Sequence, residues 1–267
     1  MDNGAIVFEL NNAVYSYLDG VPVLNNINLQ IKQGEKICIL GANGCGKSTL
    51  LKILCGLIFP TSGEFTAFGE KITEQKLEND DFSKKYHKKV GFIFQDSDAQ
   101  LFCGSVWDEI AFGPLQLGLG EREVRNKVED IIHMLNLNAI RDRAPFRLSG
   151  GEKKKVAVGS VLVTNPEVLI LDEPTNGLDP KTQRWLVNLL IQLNKAGKTI
   201  ITSTHNLELV QEISDRIIVF SEEHQIVADG PTHQVLDDKE LLINVNLIDE
   251  YYHKHEGTHS HYHIHNY

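Results

Sequence analysis

The sequence predicts an α/β fold built on a parallel sheet, with an antiparallel β region at the N-terminus and an inserted helical segment. Three observations favour this class. A glycine-rich loop at Gly41–Ser48 lies between a short apolar run and a helical pattern. Short apolar strands then alternate with helical patterns along the chain. One strand, Val168–Leu171, is continuously apolar, as is typical of strands that are buried on both faces of a parallel sheet.

The composition is that of an ordinary globular chain with an acidic balance. Its 267 residues, 42% of them hydrophobic and 23% charged, suffice for one large domain or two small ones. The net charge of −10 argues against a nucleic-acid partner bound through a broad basic surface. It does not argue against nucleotide binding, which needs only a local positive potential.

Cysteine usage and hydropathy both indicate a cytoplasmic protein. The four cysteines have no C-x-x-C spacing and are interpreted as free thiols in a reducing compartment. No apolar run approaches the roughly 20 residues that cross a bilayer, and the first residues carry no signal-peptide core. We therefore expect any membrane role to come through a partner.

The N-terminal segment predicts an antiparallel sheet. Strand pieces are expected at Ala5–Leu10 and Val14–Tyr17, and a strand with one buried face at Leu24–Ile31. Asp19-Gly20 between them is a turn signal. Tyr17 lies near a strand end, where it could stack on an adenine ring or pack on the sheet edge.

The glycine-rich loop fits G-x-x-x-x-G-K-[ST], the phosphate-binding loop, and it lies between a predicted strand and a predicted helix. Its glycines let successive N–H groups point inward, and the helix N-terminus adds a positive dipole end. We expect Lys47 to neutralise the β- and γ-phosphates of ATP and Ser48 to bind Mg²⁺. The alternative is a glycine turn before an ordinary helix. The other residues expected at the nucleotide are Asn43, Gly44, Cys45, Gly46 and Thr49.

Two long segments follow the loop. The charged stretch Lys71–Lys89 is interpreted as a solvent-exposed segment with no catalytic or binding role. Asp96–Leu119 is unusually apolar for a loop region, and Glu121–Leu137 has apolar residues at helical spacing. The apolar residues could form a small helical core or a docking surface for another protein, and the two interpretations are compatible.

Polar side chains follow several predicted strands directly: Gln95, Asp172-Glu173 and His205. Ligands of α/β sheets bind at the carboxyl ends of strands, so we expect these side chains to meet. Asp172 would hold Mg²⁺, Glu173 would polarise the attacking water, and His205 would sense the γ-phosphate. Gln95 would ligate Mg²⁺ or the water. Adjacent carboxylates on a solvated loop, or an ordinary surface histidine, are the alternatives.

A second glycine-rich helix start occurs at Ser149-Gly150-Gly151. It offers a second anion site by the same physics. One phosphate chain cannot use both sites if the first loop already wraps it. A head-to-tail pair of ATPase domains, in which each second site caps the ATP of the other subunit, resolves this.

Taken together, the motifs resemble those of ABC-transporter ATPases, a branch of the P-loop NTPases. The resemblance implies an ABC nucleotide-binding domain over residues 5–237, with a helical subdomain at about 97–163 and a C-terminal extension at 238–267. It further implies that Tyr17 stacks on adenine and that Asp179 lies in a loop coupling the two sites of a dimer. The motifs that carry it are Gly41–Ser48, Gln95, Leu148–Glu152, Leu171–Thr175, Gly177–Asp179 and His205.

A finer resemblance is to the energy-coupling-factor branch, which imports cobalt, nickel or vitamins. It rests on Val90–Gln95, Gln100–Phe102, Ala111–Pro114 and Glu152. Lys155 and Asn176 depart from that branch, which often has Arg and Ala at these positions.

The C-terminal tail is rich in histidine, and its histidines are not an uninterrupted run. Imidazole suits Ni²⁺, Co²⁺, Zn²⁺ and Cu²⁺. We hypothesise that the tail buffers or senses a transported metal, the alternative being a polar tail without a selective role. The candidate ligands are His253, His255, His259, His261, His263 and His265.

The sequence thus predicts an ATP-hydrolysing subunit at the cytoplasmic face of a membrane, pairing with a second ATPase subunit, identical or different, and with membrane-embedded transport subunits. ATP and Mg²⁺ are the expected cofactors, and nickel or cobalt the expected cargo. The alternatives are a vitamin importer and a soluble ABC protein acting on ribosomes or DNA.

Overall fold

A computed structural model describes residues 4–17 and 20–248. Two sheets and a set of helices form the fold, as the sequence predicts. The histidines proposed as tail ligands, His253, His255, His259, His261, His263 and His265, lie outside the described residues.

The larger sheet has the strand order β10-β9-β3-β8-β7-β6, and all of its pairs are parallel except β9 with β10. Its central strands are mainly apolar, as is typical of strands that are covered by helices on both faces. Every residue of β7 and β8 is buried. The strands are β3 (Lys36–Leu40), β6 (Val90–Ile93), β7 (Val168–Asp172), β8 (Thr199–Ser203), β9 (Arg216–Phe220) and β10 (Ile226–Pro231).

The smaller sheet is antiparallel, with the order β2-β1-β4-β5. The two strand pieces predicted before Tyr17 are one continuous strand, whose register shifts between Leu10 and Ala13. Asn12 takes a left-handed φ of 48° there, which asparagine tolerates better than most residues. The strands are β1 (Ile6–Ser16), β2 (Pro22–Lys32), β4 (Ser62–Ala67) and β5 (Glu70–Lys71).

Arg216 of β9 joins the two sheets. Its guanidinium binds both carboxylate oxygens of Asp229 at 2.6 and 2.7 Å, and it donates at 3.0 Å to Glu35 and to the backbone carbonyl of Gln30 in β2.

The stretch interpreted as a solvent-exposed segment forms two helices, α2 (Glu74–Leu77) and α3 (Asp80–Lys89). Asn79 caps α3 by accepting from the N–H of Phe82. Acidic residues in its first turn and basic residues in its last suit the helix dipole. Tyr86 is buried and donates its hydroxyl to the carbonyl of Leu54 at 2.6 Å.

A helical part lies between β6 and β7 in the chain, and its apolar core is continuous with one face of the parallel sheet and with α7. The apolar segment expected to be loop-like is helical from Val106, because Ser105 caps this helix through the N–H of Asp108. Its elements are α4 (Val106–Gln116), α5 (Glu121–Met134), 3-10 turns at Asn138–Ile140 and Pro145–Arg147, and α6 (Gly150–Leu162).

The remaining helices pack around the parallel sheet. The segment predicted as an extension beyond residue 237 begins with α10, whose Leu242 is buried in the same core as Leu40 and Val219. None of the described helices is long and apolar enough to span a membrane. These helices are α1 (Lys47–Leu54), α7 (Pro180–Lys195), α8 (Leu207–Ile213), α9 (Thr232–Asp237) and α10 (Lys239–Asn244).

Candidate functional site

A polar cavity of about 380 Å³ lies at the carboxyl ends of the parallel strands. It brings together the glycine-rich loop and the polar residues that were singled out at the strand ends. Its lining comprises Val23, Asn43, Gly44, Gly46, Lys47, Ser48, Thr49, Gln95, Asp172, Glu173, Asn176 and His205.

The loop is shaped by glycines with left-handed backbones. Gly46 has a φ of 113°, and a Cβ there would lie 2.5 Å from the carbonyl oxygen of Val23. Gly44 has a φ of 84°, and a Cβ built on it meets no atom within 4 Å. The loop therefore packs closely against β2 at Gly46 and leaves free space at Gly44, as a phosphate-binding loop requires.

Lys47 begins α1 and is 7% exposed. Its ammonium group donates to the carbonyls of Gly41 and Ala42 at 2.7 and 2.9 Å. These bonds hold the cation across the mouth of the loop, where it raises the local positive potential in an acidic protein.

Oxygen ligands also converge on the cavity. The Ser48 hydroxyl, the Gln95 amide and the Asp172 carboxylate all line it. Mg²⁺ prefers such hard oxygen donors, alongside phosphate oxygens and water. This donor set fits the predicted Mg²⁺ site. Among the described residues, the cavity included, no group of three or more His, Cys, Asp or Glu side chains is placed to hold a metal ion by itself.

Ser203, at the end of β8, organises the two adjacent carboxylates. Its hydroxyl donates to Asp172 Oδ1 at 2.5 Å and accepts from the N–H of Glu173 at 3.1 Å. Glu173 has a φ of 41°, a strained conformation for this residue. The strain turns the chain sharply after β7, so that successive carboxylates have different surroundings.

Glu173 and His205 are in direct contact. His205 Nδ1 lies 3.0 Å from Glu173 Oε1. The carboxylate side chain is 10% exposed and the histidine side chain 59% exposed. A buried carboxylate beside a solvent-facing imidazole suits a group that must exchange protons or water with the cavity.

Gln95 is positioned by Lys154, a residue that the sequence analysis did not single out. Lys154 belongs to α6, is buried, and donates to the carbonyls of Phe94 and Gln95 at 3.2 and 3.0 Å. Burial lowers its pKa. Its sequence signal is weak, because lysines flank it on both sides and only the fold shows which one points inward.

Two residues expected at the nucleotide lie just outside the cavity lining. The Tyr17 hydroxyl is 3.5 Å from Thr49 Oγ1, and its ring packs edge-on against Tyr15. The Cys45 side chain is buried behind the loop, since a Cβ on Gly41 would meet its sulfur at 2.6 Å. Burial raises the pKa of the Cys45 thiol. Cys45 can therefore contribute through its backbone, not through a thiolate.

The second glycine-rich helix start does not line this cavity. Ser149 caps α6 in a reciprocal capping box, in which Glu152 accepts from both the Ser149 N–H and its hydroxyl, at 2.8 and 2.7 Å. Those hydrogen bonds lower the pKa of Glu152. Gly151 packs beside Thr182 at the start of α7, where a Cβ would lie 2.7 Å from the threonine hydroxyl.

The sequence matches the ABC transporter family over residues 24–176, which includes the loop, Gln95, the helical part and the paired carboxylates. The chain belongs to the ABC transporter ATPases. It binds ATP and hydrolyses it to power transport, as its family does. Proteins of this family form dimers and work with membrane subunits.

Relatives of this ABC ATPase carry transport names. It is 51% identical to a putative ABC transporter ATP-binding protein of Methanosarcina acetivorans, over 93% of this chain and 91% of the relative. It is 43% identical to the nickel import ATP-binding protein NikO of Rhodobacter capsulatus, over 90% and 95%. It is 42% identical to the energy-coupling factor transporter ATP-binding protein EcfA2 of Methanospirillum hungatei, over 90% of this chain and 59% of the relative.

Solved structures agree with the fold. Clostridium perfringens cbiO1, described as part of the ABC transporter complex cbiONQ, superposes with a TM-score of 0.77 at 36% identity, covering 91% of this chain and 95% of that one. A dimeric ATP-binding cassette bound to ADP and Pi superposes with a TM-score of 0.76 at 29% identity, covering 84% and 98%. The predicted ABC ATPase fold and the predicted resemblance to the energy-coupling-factor branch are thus confirmed.

Proposed function

We propose that this ABC ATPase energises an importer of nickel or cobalt ions from the cytoplasmic face of the membrane. One observation carries the nucleotide chemistry: a single cavity joins Lys47, Asp172, Glu173 and His205. The name of the nickel import relative NikO supports the cargo.

ATP enters with its phosphates against the glycine-rich loop. Backbone groups from Asn43 to Thr49 surround the phosphates, and Lys47 exchanges its loop carbonyls for phosphate oxygens. Tyr17 reaches the adenine from beside Thr49, to which its hydroxyl already points. The lining residues supply positioning and charge neutralisation, which are most of what phosphoryl transfer requires.

Ser48, Gln95 and Asp172 would hold Mg²⁺, which supplies charge neutralisation at the phosphates when bound. Glu173 orients the attacking water and accepts its proton. His205, already 3.0 Å from Glu173, holds that carboxylate in place and senses the γ-phosphate. Hydrolysis by this arrangement needs no covalent intermediate on the protein.

The second subunit completes the site. Ser149, Gly150 and Gly151 form a helix start outside their own chain's cavity. In a head-to-tail pair, each would cap the ATP bound by the other subunit. This explains why a chain with one complete loop carries a second anion-binding helix start.

Replacing Glu173 by Gln tests the catalytic assignment. We expect ATP binding to persist, hydrolysis to fall at least a hundredfold, and ATP to trap a closed dimer, because the amide cannot accept the proton of the water. Turnover is measured by phosphate release, and dimerisation by size-exclusion chromatography with light scattering. Glu121→Gln, an isosteric change at an exposed position in the first turn of α5, is the control. Retained turnover in the Glu173→Gln variant would remove Glu173 from its assigned role.

The membrane partner would dock on an exposed aromatic patch, defined here as Phe94, Phe102, Phe112 and Leu115. Phe102 is 67% exposed and packs edge-on against Phe112 with ring centroids 4.9 Å apart. Buried Glu109 holds this loop by accepting from the N–H groups of Phe102 and Cys103 at 2.9 and 2.7 Å. An apolar surface that is exposed and held in one conformation is typical of an interaction site.

The rival functions are a vitamin importer that shares this ATPase role and a soluble ABC protein acting on ribosomes or DNA. The acidic balance disfavours the second, since nucleic-acid surfaces demand basic residues. Fractionation of cell extracts separates the classes: we expect the chain with membranes, and sedimentation with ribosomes would contradict the transport role.

A further inference from the structure

A second cavity, of about 480 Å³, shares no lining residue with the nucleotide cavity. Lys89 precedes β6 and Glu167 precedes β7, so the cavity lies at the amino ends of strands whose carboxyl ends line the first cavity. Its volume falls in the range of small-molecule sites. Its lining comprises Ala67, Phe68, Glu70, Ile72, Phe82, Lys85, Tyr86, Lys88, Lys89, Asn165 and Glu167.

The wall of this cavity includes a strained aromatic residue. Phe68 has a φ of 50° and Gly69 a φ of 78°, in the tight turn between β4 and β5. Left-handed backbone is costly for a bulky residue, and asparagine is the usual choice at the first such position of a hairpin turn. This backbone conformation places the Phe68 ring at the cavity, where its centroid lies 5.9 Å from that of Phe8 and 6.5 Å from that of Tyr86.

The charges at the mouth of the cavity are unbalanced. Glu70 is paired with Lys76 at 3.0 Å, and Glu167 with Lys89 at 3.7 Å. Lys89 also lies 4.5 Å over the Phe68 ring. Lys85 and Lys88 are exposed, and among the described residues neither has an acidic partner within salt-bridge distance. The cavity therefore combines aromatic walls with two uncompensated cations.

We propose that this second cavity binds a small organic anion, with an apolar body against Phe68 and Phe82 and a carboxylate, sulfonate or phosphate at Lys85 and Lys88. An apolar anion satisfies both halves of the lining, whereas a neutral apolar molecule leaves the cations unmatched and a free phosphate leaves the aromatic walls bare. Tyr86, in the same lining, donates to the last residue of α1, Leu54. The ligand would thus lie one side chain away from the helix that begins at Lys47.

The test uses the fluorescent sulfonate 8-anilinonaphthalene-1-sulfonate, titrated into the full-length chain with excess ADP and Mg²⁺ filling the nucleotide cavity. We expect saturable binding that the double change Lys85→Gln, Lys88→Gln weakens about tenfold. Lys84→Gln is the matched control, since Lys84 is exposed on the same helix outside the cavity lining. The uncharged analogue N-phenyl-1-naphthylamine should bind the unaltered chain and the double variant equally, because it has no charge for Lys85 and Lys88 to bind.

A second variant addresses the wall. Phe68→Asn suits the left-handed turn and removes the ring, so we expect binding to fall severalfold while the chain stays folded, as checked by circular dichroism. Three results would overturn the proposal: no saturable binding with ADP present, equal weakening by Lys84→Gln, or unchanged binding in the double variant.

Discussion

At the scale of single residues, Ser203 is the side chain that holds the Asp172 carboxylate and the backbone of Glu173. It is completely buried, donates to Asp172 and accepts from the backbone of Glu173. It is not part of the cavity lining and acts on the site through its neighbours, so it is a positioning residue. A hydroxyl at a strand end has no recognisable sequence pattern, which is why sequence reasoning missed it.

We expect Ser203→Ala to lower kcat for ATP hydrolysis by about 10- to 100-fold, because a buried carboxylate loses a charge-assisted hydrogen bond worth about 1.5–3 kcal/mol. ATP affinity without Mg²⁺ should be unchanged, while the Mg²⁺ concentration for half-maximal activity should rise. Steady-state kinetics and nucleotide titration provide the measurements.

Thr202→Val is the matched control for this change. It removes a buried hydroxyl one residue earlier in β8, whose hydrogen bond goes to the backbone carbonyl of Ile37. A merely structural role for Ser203 would make the two variants lose stability and activity alike. A positioning role for Ser203 is supported if Ser203→Ala lowers kcat much more than Thr202→Val does, while the two variants lose similar stability.

At the scale of elements, α4 and the loop before it present the aromatic patch to solvent. Glu109 fixes the loop, and the Phe102 and Phe112 rings hold each other edge-on. The patch is therefore formed before any partner binds, which lowers the ordering cost of association.

We expect the double change Phe102→Ser, Phe112→Ser to abolish co-purification with the membrane subunits, while ATP binding by the isolated chain stays intact. Buried aromatic anchors carry much of the energy of such interfaces, about 2 kcal/mol or more each. Met134→Ser, which alters an exposed apolar residue on α5 outside the patch, is the control. Complexes of undiminished yield would show that the partner docks elsewhere.

Elements with a regular apolar pattern or a recognisable motif could be predicted from the sequence, whereas the helix at Asp80–Lys89 could not. The strand Val168–Leu171 and the helix after Glu121 have clear periods and are present as expected. The helix at Asp80–Lys89 was missed because its apolar side consists mainly of Phe82 and Tyr86 within a charged stretch. Its start depends on Asn79, whose capping role is visible only once the helix exists.

At the scale of the whole molecule, the site was predictable because fold and motif agree. Strand ends named from the sequence converge because a parallel sheet brings all its carboxyl ends to one edge. The supporting residues, Lys154 and Ser203, could not be foreseen, since their partners are far along the chain and are selected by packing.

The cargo is also a property of the whole assembly. If the histidines of the tail buffer nickel or cobalt, removing residues 253–267 should reduce uptake of that metal at limiting concentration, because a local store of bound ions is lost. Uptake of radioactive nickel by cells carrying the intact or shortened chain measures this. Equal uptake by both at limiting metal would show that the tail has no such role.

The position of Arg216 bears on which parts of the protein move together when ATP binds. Arg216 is anchored within the larger sheet by Asp229 of β10, and it donates across to the Gln30 carbonyl of β2 in the smaller sheet. Twisting one sheet against the other would break the bond to Gln30. Residues of both sheets also share one apolar core, including Phe8 of β1 and Ile39 of β3, so we expect the two sheets to move together when ATP binds. We then expect the displacement that ATP produces to occur between the sheets and the helical part, which are joined where Lys154 donates to the backbone carbonyl of Gln95.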